Sequence, residues 1–334
     1  MPEISILVAV GIALALVFDF GNGFKDASNS IATVVATRVL KPWQAVALAA
    51  FFNFVAAFVF GTSVAATIGK GLVQSSAVNE VMIISGIIGA IVWVYSMAFF
   101  GLPISASHAL IGGFIGAAVA GAGIGALIVG GLFTVVLFIF AAPIIGMVSS
   151  FLFSAVVLRL VRRADPSKVS SISKKLQLVS VSAYSLAHGT NDAQKTMGII
   201  SILLFTGGYL GSHFYVPWWV IIISHTTIAL GTLLGGWKVV KTMGMKITKL
   251  KPLTGFFAET SGAAVIIVST VLGIPVSTTH VIAGSIIGVG MTKRISAVHW
   301  SIARSIIQAW IFTIPATALI GGLTYFVLRL FVHA

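Results

Sequence analysis

The sequence predicts an all-α polytopic membrane protein of two inverted-topology repeats, with broken helices or re-entrant hairpins and roughly 10–12 membrane helical segments. Composition, segment length and an internal repeat predict this fold. Of 334 residues, 58% are hydrophobic and 8% charged, with a mean hydropathy of +1.10. So few charges do not cover a soluble globule. Apolar runs of about 17–25 residues favour helices over barrel strands, which alternate over about 10 residues.

The positive charge is concentrated in two short segments between apolar runs. The net charge is +13, with six Lys or Arg residues in 159–175 and five in 238–251. An excess of basic residues in short loops marks the cytoplasmic side of a membrane protein, so we predict no nucleic-acid partner. The absence of cysteine excludes disulfides and thiolate chemistry. We therefore divide the chain into an N-terminal repeat (1–158), a basic cytoplasmic loop (159–175) and a C-terminal inverted repeat (176–334).

The first half contains apolar segments interrupted twice by polar residues. Gly21 to Gly23 predicts a break in the first span, and Pro103 predicts another because proline disfavours helix in the residue before it. Pro42 is well placed to open a helix. The predicted segments are 4–20, 24–37, 43–68, 81–100, a piece ending near 120, 123–140 and 143–158.

The second half repeats this order. A segment that begins near residue 176 is predicted to break at residues 188–191. A later one stops at Gly273, before Pro275. The predicted segments are 176–187, a piece ending near 205, 218–236, 252–272, a piece ending near 290, and 302–332.

Two pairs of motifs define the repeat. Residues 101–116 and 273–288 share seven of 16 positions, including Pro103/Pro275 and His108/His280. A shift of 166 residues also aligns Asp26 with Asp192. With both basic segments on one side, the first broken span runs inward and its counterpart outward. Inverted repeats with matching helix breaks are typical of secondary transporters that bind their substrate near mid-membrane.

The predicted breaks suit an anion together with a cation. The free amides and dipole at the start of a helix favour an anion. Hydroxyl side chains near these starts can donate to anion oxygens without adding charge. Carboxylates beside an oxyanion are explained if cations or protons lie between them, because hard oxygen ligands suit such ions. The donors are Ser105, Ser107, Ser277, Thr278 and Thr279, and the carboxylates are Asp26 and Asp192.

Each polar residue also has a structural alternative. A Ser or Thr at a helix start can be an ordinary N-cap. His108 and His280 can hydrogen-bond the backbone near their breaks. Asp19 can cap a helix or pair locally, and Glu259, within a span, can be a pathway or pairing residue. Lys25 and Lys195 can neutralise the aspartates, attract the anion or extend towards the membrane surface. We assign Lys195 to the substrate.

The motifs resemble those of the PiT family of inorganic phosphate transporters. The segment 189–198, Gly-Thr-Asn-Asp-Ala-Gln-Lys-Thr-Met-Gly, is similar to the second signature of that family. Both Gly-x-Pro-x-Ser-x-Ser/Thr-His segments are also similar, and the resemblance covers essentially the whole chain. It implies symport of inorganic phosphate with sodium ions or protons. The matching positions are Asn22, Asp26, Asn29, Asn191, Asp192 and the hydroxyl residues after the two prolines.

The resemblance completes the predicted site. We assign phosphate to Asn22, Asn29, Asn191, Lys195 and the five hydroxyl residues, and the coupling ion to Asp26, Asp192 and Asn191. Sodium, if it is the ion, would lie at Asp26 and Asp192. Sodium-coupled relatives typically have Asn where this chain has Lys25, and proton-coupled bacterial relatives often have His, so Lys25 favours proton coupling.

The short 159–175 segment favours a compact bacterial or archaeal form in the inner cell membrane. The chain is predicted not to be an enzyme and to need no cofactor beyond its coupling ion. Its partners are phosphate, that ion and membrane lipid, and a homo-oligomer is left open. Two other functions are considered. Sulfate is another tetrahedral oxyanion, but phosphate can donate a proton to Asp26 or Asp192 and sulfate at neutral pH cannot. A passive anion channel, of a different class, is disfavoured by the paired acids.

Overall fold

The computed structural model describes residues 5–59, 61–74 and 76–332. Within them lie twelve α-helices, which confirms the predicted helical architecture. Five helices are long and apolar enough to cross a membrane, or seven if each of two bent helix pairs is one span. The helices are α1 (Ile6–Ala36), α2 (Pro42–Val55), α3 (Ser63–Lys70), α4 (Glu80–Phe100), α5 (Ala106–Ala122), α6 (Val129–Leu160), α7 (Pro166–Thr206), α8 (Trp218–Leu234), α9 (Trp237–Lys241), α10 (Pro252–Val271), α11 (Thr278–Met291) and α12 (Trp300–Arg329).

The helices form two sets of six in the same order, α1–α6 and α7–α12. Equivalent helices α1 and α7 cross in opposite directions. Gly11 of α1 packs near Leu203, Asp19 bonds Thr196, and Thr37 at the other end bonds Gln177. The repeats are therefore inverted, as predicted. They also exchange partners, because α5 packs on α12 and α11 packs on α6.

The breaks before α5 and α11 are confirmed, and they are built alike. Gly101 and Gly273 end α4 and α10 with φ of 71° and 69°, a left-handed conformation that glycine adopts without steric cost. Pro103 and Pro275 follow, and residues 102–105 and 274–277 are not helical. The proline and the left-handed glycine keep each pair of helices from merging.

The predicted breaks at Gly21–Gly23 and His188–Asn191 are wrong. Both segments lie inside continuous helices, α1 and α7. Glycine is present there because of close packing. A Cβ on Gly23 would lie 2.2 Å from the carbonyl oxygen of Ile228, and one on Gly189 would lie 2.7 Å from Asn53 Cα. The expected helix starts near Lys25 and Asn191 therefore do not exist.

The basic segments are more helical than predicted. Only residues 161–165 separate α6 from α7. Asp165 caps α7 by accepting a hydrogen bond from Ser167 N at 2.8 Å, and Pro166 occupies the first turn. The 41 residues of α7 would span about 60 Å, roughly twice a hydrocarbon core, so its exposed basic start extends beyond the membrane. The bend between α8 and α9, 66°, was not predicted.

Two hydrophobic clusters lie on either side of a polar layer. One contains Val8 and Phe18 of α1 with Ile200 of α7, and the other contains Ile31 of α1 with Tyr184 of α7. The polar residues between them on both helices are therefore held at mid-height of the crossing.

Glycine sets the distance between α5 and α12, and one substitution tests this. A Cβ on Gly116 would lie 2.0 Å from the carbonyl oxygen of Ala318, a backbone atom that cannot rotate away. We expect Gly116→Ala to lower the free energy of unfolding by about 1–3 kcal/mol, as overpacking does. Thermal unfolding in detergent measures it. Gly125→Ala is the matched control, because no atom lies within 4 Å of its Cβ position. Equal melting temperatures for both variants would contradict this packing.

Candidate binding site

The site lies where α1 and α7 cross, and its centre is the pair Asp26 and Asp192. Both are almost fully buried, with 2% and 1% of their surface exposed. Asn22 of α1 donates to Asp192 Oδ2 at 3.5 Å and so joins the two helices. The antiparallel crossing brings together carboxylates that are 166 positions apart in the sequence.

Each carboxylate holds a buried ammonium group. Lys25 Nζ donates to Asp26 Oδ1 and, at 2.5 Å, to the carbonyl oxygen of Ile104. Lys195 Nζ donates to Asp192 Oδ1 at 2.5 Å and to the carbonyl oxygen of Val276 at 2.8 Å. Such pairing is the usual condition for charges at membrane depth. In their ionised forms the four side chains have no net charge.

The hydroxyl side chains at the start of α11 reach both acids. Thr278 Oγ1 donates to Asp192 Oδ2 at 3.2 Å, and Thr279 Oγ1 donates to Asp26 Oδ1 at 3.0 Å. Asn29 Nδ2 donates to both hydroxyl oxygens, at 3.2 and 2.9 Å. At the start of α5, Ser107 Oγ accepts from Lys195 Nζ at 2.5 Å. Three of the five predicted hydroxyl residues therefore contact the charged centre.

The other two predicted hydroxyl residues cap their own helices. Ser105 Oγ accepts from His108 N at 3.1 Å, and Ser277 Oγ accepts from His280 N at 3.3 Å. Asn191 points to α10, where its Nδ2 donates to Thr270 Oγ1 at 2.9 Å. The hydrogen bonds of these three side chains therefore go to their own helices or to α10 and not to either aspartate.

Three buried amide oxygens have no hydrogen-bond donor among the described residues. They are Oδ1 of Asn22, Asn29 and Asn191, and the Nδ2 of each side chain is already donating. An amide oxygen can only accept a hydrogen bond or coordinate a cation. These atoms are available to a cation or to a hydroxyl of a protonated anion.

His188 belongs to the same centre and was not assigned from the sequence. Its Nε2 lies 3.3 Å from Asp192 Oδ2, and its Nδ1 lies 3.1 Å from Asn53 Oδ1, an acceptor. Ligand atoms of Asp26, His188 and Asp192 lie within 4.8 Å of one another, a set that could hold a metal ion. The available signal was the spacing of four residues between His188 and Asp192, which places them on one helical face.

Two further buried acids contact α1 and α7 on opposite sides of the centre: Asp19 of α1 and Glu259 of α10. Asp19 Oδ1 accepts from Thr196 Oγ1 at 2.9 Å, and Asp19 Oδ2 has no donor among the described residues. Glu259 of α10 accepts from Thr33 Oγ1 at 2.5 Å, from Gln177 Nε2 at 2.9 Å and from Ser180. Local pairing was considered for Asp19, but its partner Thr196 is 177 residues away in the sequence. The pairing considered for Glu259 is with α1 and α7.

The two break histidines meet each other. The rings of His108 and His280 are 4.6 Å apart edge to face, and His280 stacks on Trp310 at 3.6 Å. His280 Nδ1 lies 3.4 Å from the carbonyl oxygen of Ile139 in α6, whereas His108 Nδ1 has no hydrogen-bond partner among the described residues. The ring contacts join the starts of α5 and α11.

The inverted repeats, the apolar helices and the buried ionic centre are those of a multi-pass membrane transporter. A sequence model of the phosphate transporter family matches residues 22–169 and 161–321. The chain is 54% identical over 315 residues to a probable low-affinity inorganic phosphate transporter of Rhizobium meliloti, covering 94% of each chain. It is 40% identical over 332 residues to a probable low-affinity inorganic phosphate transporter of Bacillus subtilis, covering 99% of each.

A solved structure described as a sodium-dependent phosphate transporter has the same fold. The TM-score is 0.90 at 23% sequence identity, over 98% of this chain and 100% of the other. The chain belongs to the phosphate transporter family. This confirms the resemblance found in the motifs and the prediction that the chain is not an enzyme.

Proposed function

We propose that the chain is a secondary active symporter that imports inorganic phosphate with sodium ions or protons. The observation that carries the proposal is the shared use of the α11 hydroxyls. Thr278 and Thr279 begin a helix whose free amides and dipole suit an anion, yet their hydroxyls donate to Asp192 and Asp26. The donors suited to phosphate are therefore engaged by the acids.

This competition gives a physical basis for coupling. A hydroxyl has a single hydrogen to donate, so it cannot serve a carboxylate and an anion at once. A proton bound by the carboxylate, or a cation bound in addition to the lysine ammonium, frees that hydrogen for a phosphate oxygen. Each bound species then raises the affinity for the other, which is positive cooperativity with a favourable coupling free energy between their sites. A passive anion channel has no use for carboxylates that compete with its substrate.

The unpartnered amide oxygens favour phosphate over sulfate. Asn22, Asn29 and Asn191 present acceptors without donors, and monohydrogen or dihydrogen phosphate has hydroxyls to donate to them. Sulfate at neutral pH has none. A site of unpaired acceptors discriminates strongly against an analogue that lacks the donor.

The transport cycle is assigned to the two halves of the chain. We propose that repeats 1–158 and 176–334 rock around the crossing of α1 and α7 by alternating access, in the inner cell membrane, with 159–175 on the cytoplasmic side. The inverted crossing supports this, because each half offers the same surface to opposite sides. The basic residues at the junction of α6 and α7 support the orientation.

Uphill uptake by the purified protein in liposomes tests the function. Labelled phosphate is supplied outside, and the sodium gradient and proton gradient are imposed separately. We expect phosphate to accumulate inside above its external concentration under at least one gradient and to leak back when that gradient is dissipated. Flux that only follows the phosphate gradient would indicate a channel. Accumulation of sulfate but not of phosphate would show that sulfate, and not phosphate, is the substrate.

A further inference from the structure

Two lysine ammonium groups occupy equivalent positions in the two halves of the site. Lys25 Nζ bridges Asp26 Oδ1 and the Ile104 carbonyl, and Lys195 Nζ bridges Asp192 Oδ1 and the Val276 carbonyl. The carboxylates are related by a shift of 166 residues and the carbonyls by a shift of 172. Each position therefore has one carboxylate oxygen and one carbonyl oxygen from a helix break.

The lysines themselves are not equivalent in sequence. The shift of 166 aligns Lys25 with Asn191 and Lys195 with Asn29, so each half supplies its ammonium from a different helical position. Lys25 and Asp26 are adjacent, whereas Lys195 lies three residues after Asp192. Because the sequence repeat does not produce this arrangement, it is the location of positive charge that the two halves share.

The surroundings of each ammonium are those of a small cation. Carboxylate and backbone carbonyl oxygens are hard ligands, and carbonyls freed at helix breaks coordinate coupling ions in transporters with broken helices. Ile104 and Val276 lie in the non-helical residues before α5 and α11. Lys25 is 0% exposed and Lys195 1%, so water does not screen either ammonium.

The hydrogen-bond count limits what Lys195 can do for an anion. An ammonium has three hydrogens. Lys195 uses all three, on Asp192, Ser107 and the Val276 carbonyl. A phosphate oxygen would have to displace one of these partners. The geometry therefore supports the role of a resident counter-cation better than the anion contact assigned from the sequence.

We propose that the ammonium groups of Lys25 and Lys195 are tethered cations that fill these two positions, so that phosphate uptake by this chain does not require sodium. This inference rests on the proposed symport function and concerns its ion selectivity. A sodium ion at either carboxylate oxygen would lie beside an ammonium, and like charges in a buried site repel strongly. Of the two coupling ions considered, only the proton then remains.

The variants Lys25→Asn and Lys195→Asn test the inference, alone and combined. Each places the amide that the other repeat has at the aligned position and removes the ammonium. Uptake of labelled phosphate into liposomes is measured with external sodium replaced by potassium or choline, at equal pH on both sides. Lys174→Asn is the control, because Lys174 is exposed at the start of α7.

We expect uptake by the unsubstituted protein and by Lys174→Asn to change by less than about twofold when sodium is replaced, since a ligand that does not bind shifts no equilibrium. The double variant should lose at least about tenfold of its uptake without sodium and recover it as sodium is added, because two buried carboxylates then lack counter-cations. Sodium-independent uptake by the double variant would overturn the inference.

A binding measurement does not depend on the variants folding. An ion that binds the native state of a protein raises the melting temperature of that protein. We expect the same melting temperature for the unsubstituted protein in sodium and in potassium at equal ionic strength. Higher stability in sodium, or phosphate uptake only under a sodium gradient, would refute the tethered cations while leaving phosphate symport intact. Failure to accumulate phosphate under either gradient would refute the symport itself.

Discussion

Asp192→Asn is expected to abolish coupled phosphate uptake, and Asp26→Asn to impair it severely. The Asp192 carboxylate accepts from Lys195, Thr278 and Asn22. Without the charge of Asp192 the buried Lys195 ammonium has no counter-ion. An unpaired buried charge of this kind costs about 3–5 kcal/mol of free energy. The initial uptake rate should therefore fall by at least about a hundredfold. Labelled uptake in liposomes, normalised to the protein incorporated, gives the rate.

The substitution should leave the protein in the membrane, because it does not shorten any apolar helix. The amount in the membrane fraction separates lost transport from lost insertion. Asp165→Asn is the matched control. Asp165 is an exposed N-cap whose pKa is lowered by hydrogen bonds from the Ser167 side chain and backbone, and asparagine can cap the helix equally well. Near-normal uptake by both Asp26→Asn and Asp192→Asn would remove the acids from the mechanism.

Glu259→Ala is expected to cause the second large loss, in stability as well as in uptake. The Glu259 carboxylate joins α10 to α1 through Thr33 and to α7 through Gln177 and Ser180. Its removal leaves three buried donors without their acceptor, and each unsatisfied donor costs about 1–3 kcal/mol of stability. The shorter side chain also opens a cavity. We expect the free energy of unfolding to fall by at least about 3 kcal/mol. Thermal unfolding in detergent gives the comparison.

Two other variants test the Glu259 prediction. Glu80→Ala removes a carboxylate from the first turn of α4, where it is partly exposed and only favours the helix dipole, so a loss of about 0.3–1 kcal/mol is expected. Glu259→Gln keeps the side-chain volume and one acceptor oxygen, so its stability should lie between those of the unsubstituted protein and Glu259→Ala. Equal stability of Glu80→Ala and Glu259→Ala would show that the carboxylate does not hold the three helices.

Local signals predicted the fold well where the backbone itself changes. The breaks at Gly101–Pro103 and Gly273–Pro275 were predicted because proline and a left-handed glycine act on neighbouring residues. The breaks at Gly21–Gly23 and His188–Asn191 were predicted wrongly because the same residue type also serves helix packing. Only the position of Ile228 and Asn53 shows which role each glycine has. The bend between α8 and α9 was not predicted, although Gly235 ends α8 with a left-handed φ of 63°.

For the candidate site, the sequence could indicate which side chains belong to it and not which atoms meet. Repetition at shifts of 166 and 172 residues was enough to single out Asp26, Asp192 and the two hydroxyl clusters. The engagement of Lys195 by three partners and the contact between His188 and Asp192 had to come from the structure. The same holds for the three amide oxygens without donors.

The sequence by itself determined a helical membrane protein with two repeats, paired acids and two proline breaks, because hydropathy, proline chemistry and repetition are properties of neighbouring or aligned residues. The tertiary structure decided that α1 and α7 continue through their polar segments and cross in opposite directions. It also decided which oxygens hold each ammonium. The physical reason is that a buried charge is placed by partners from other helices, and the distance between those helices is set by packing that no short stretch of sequence contains.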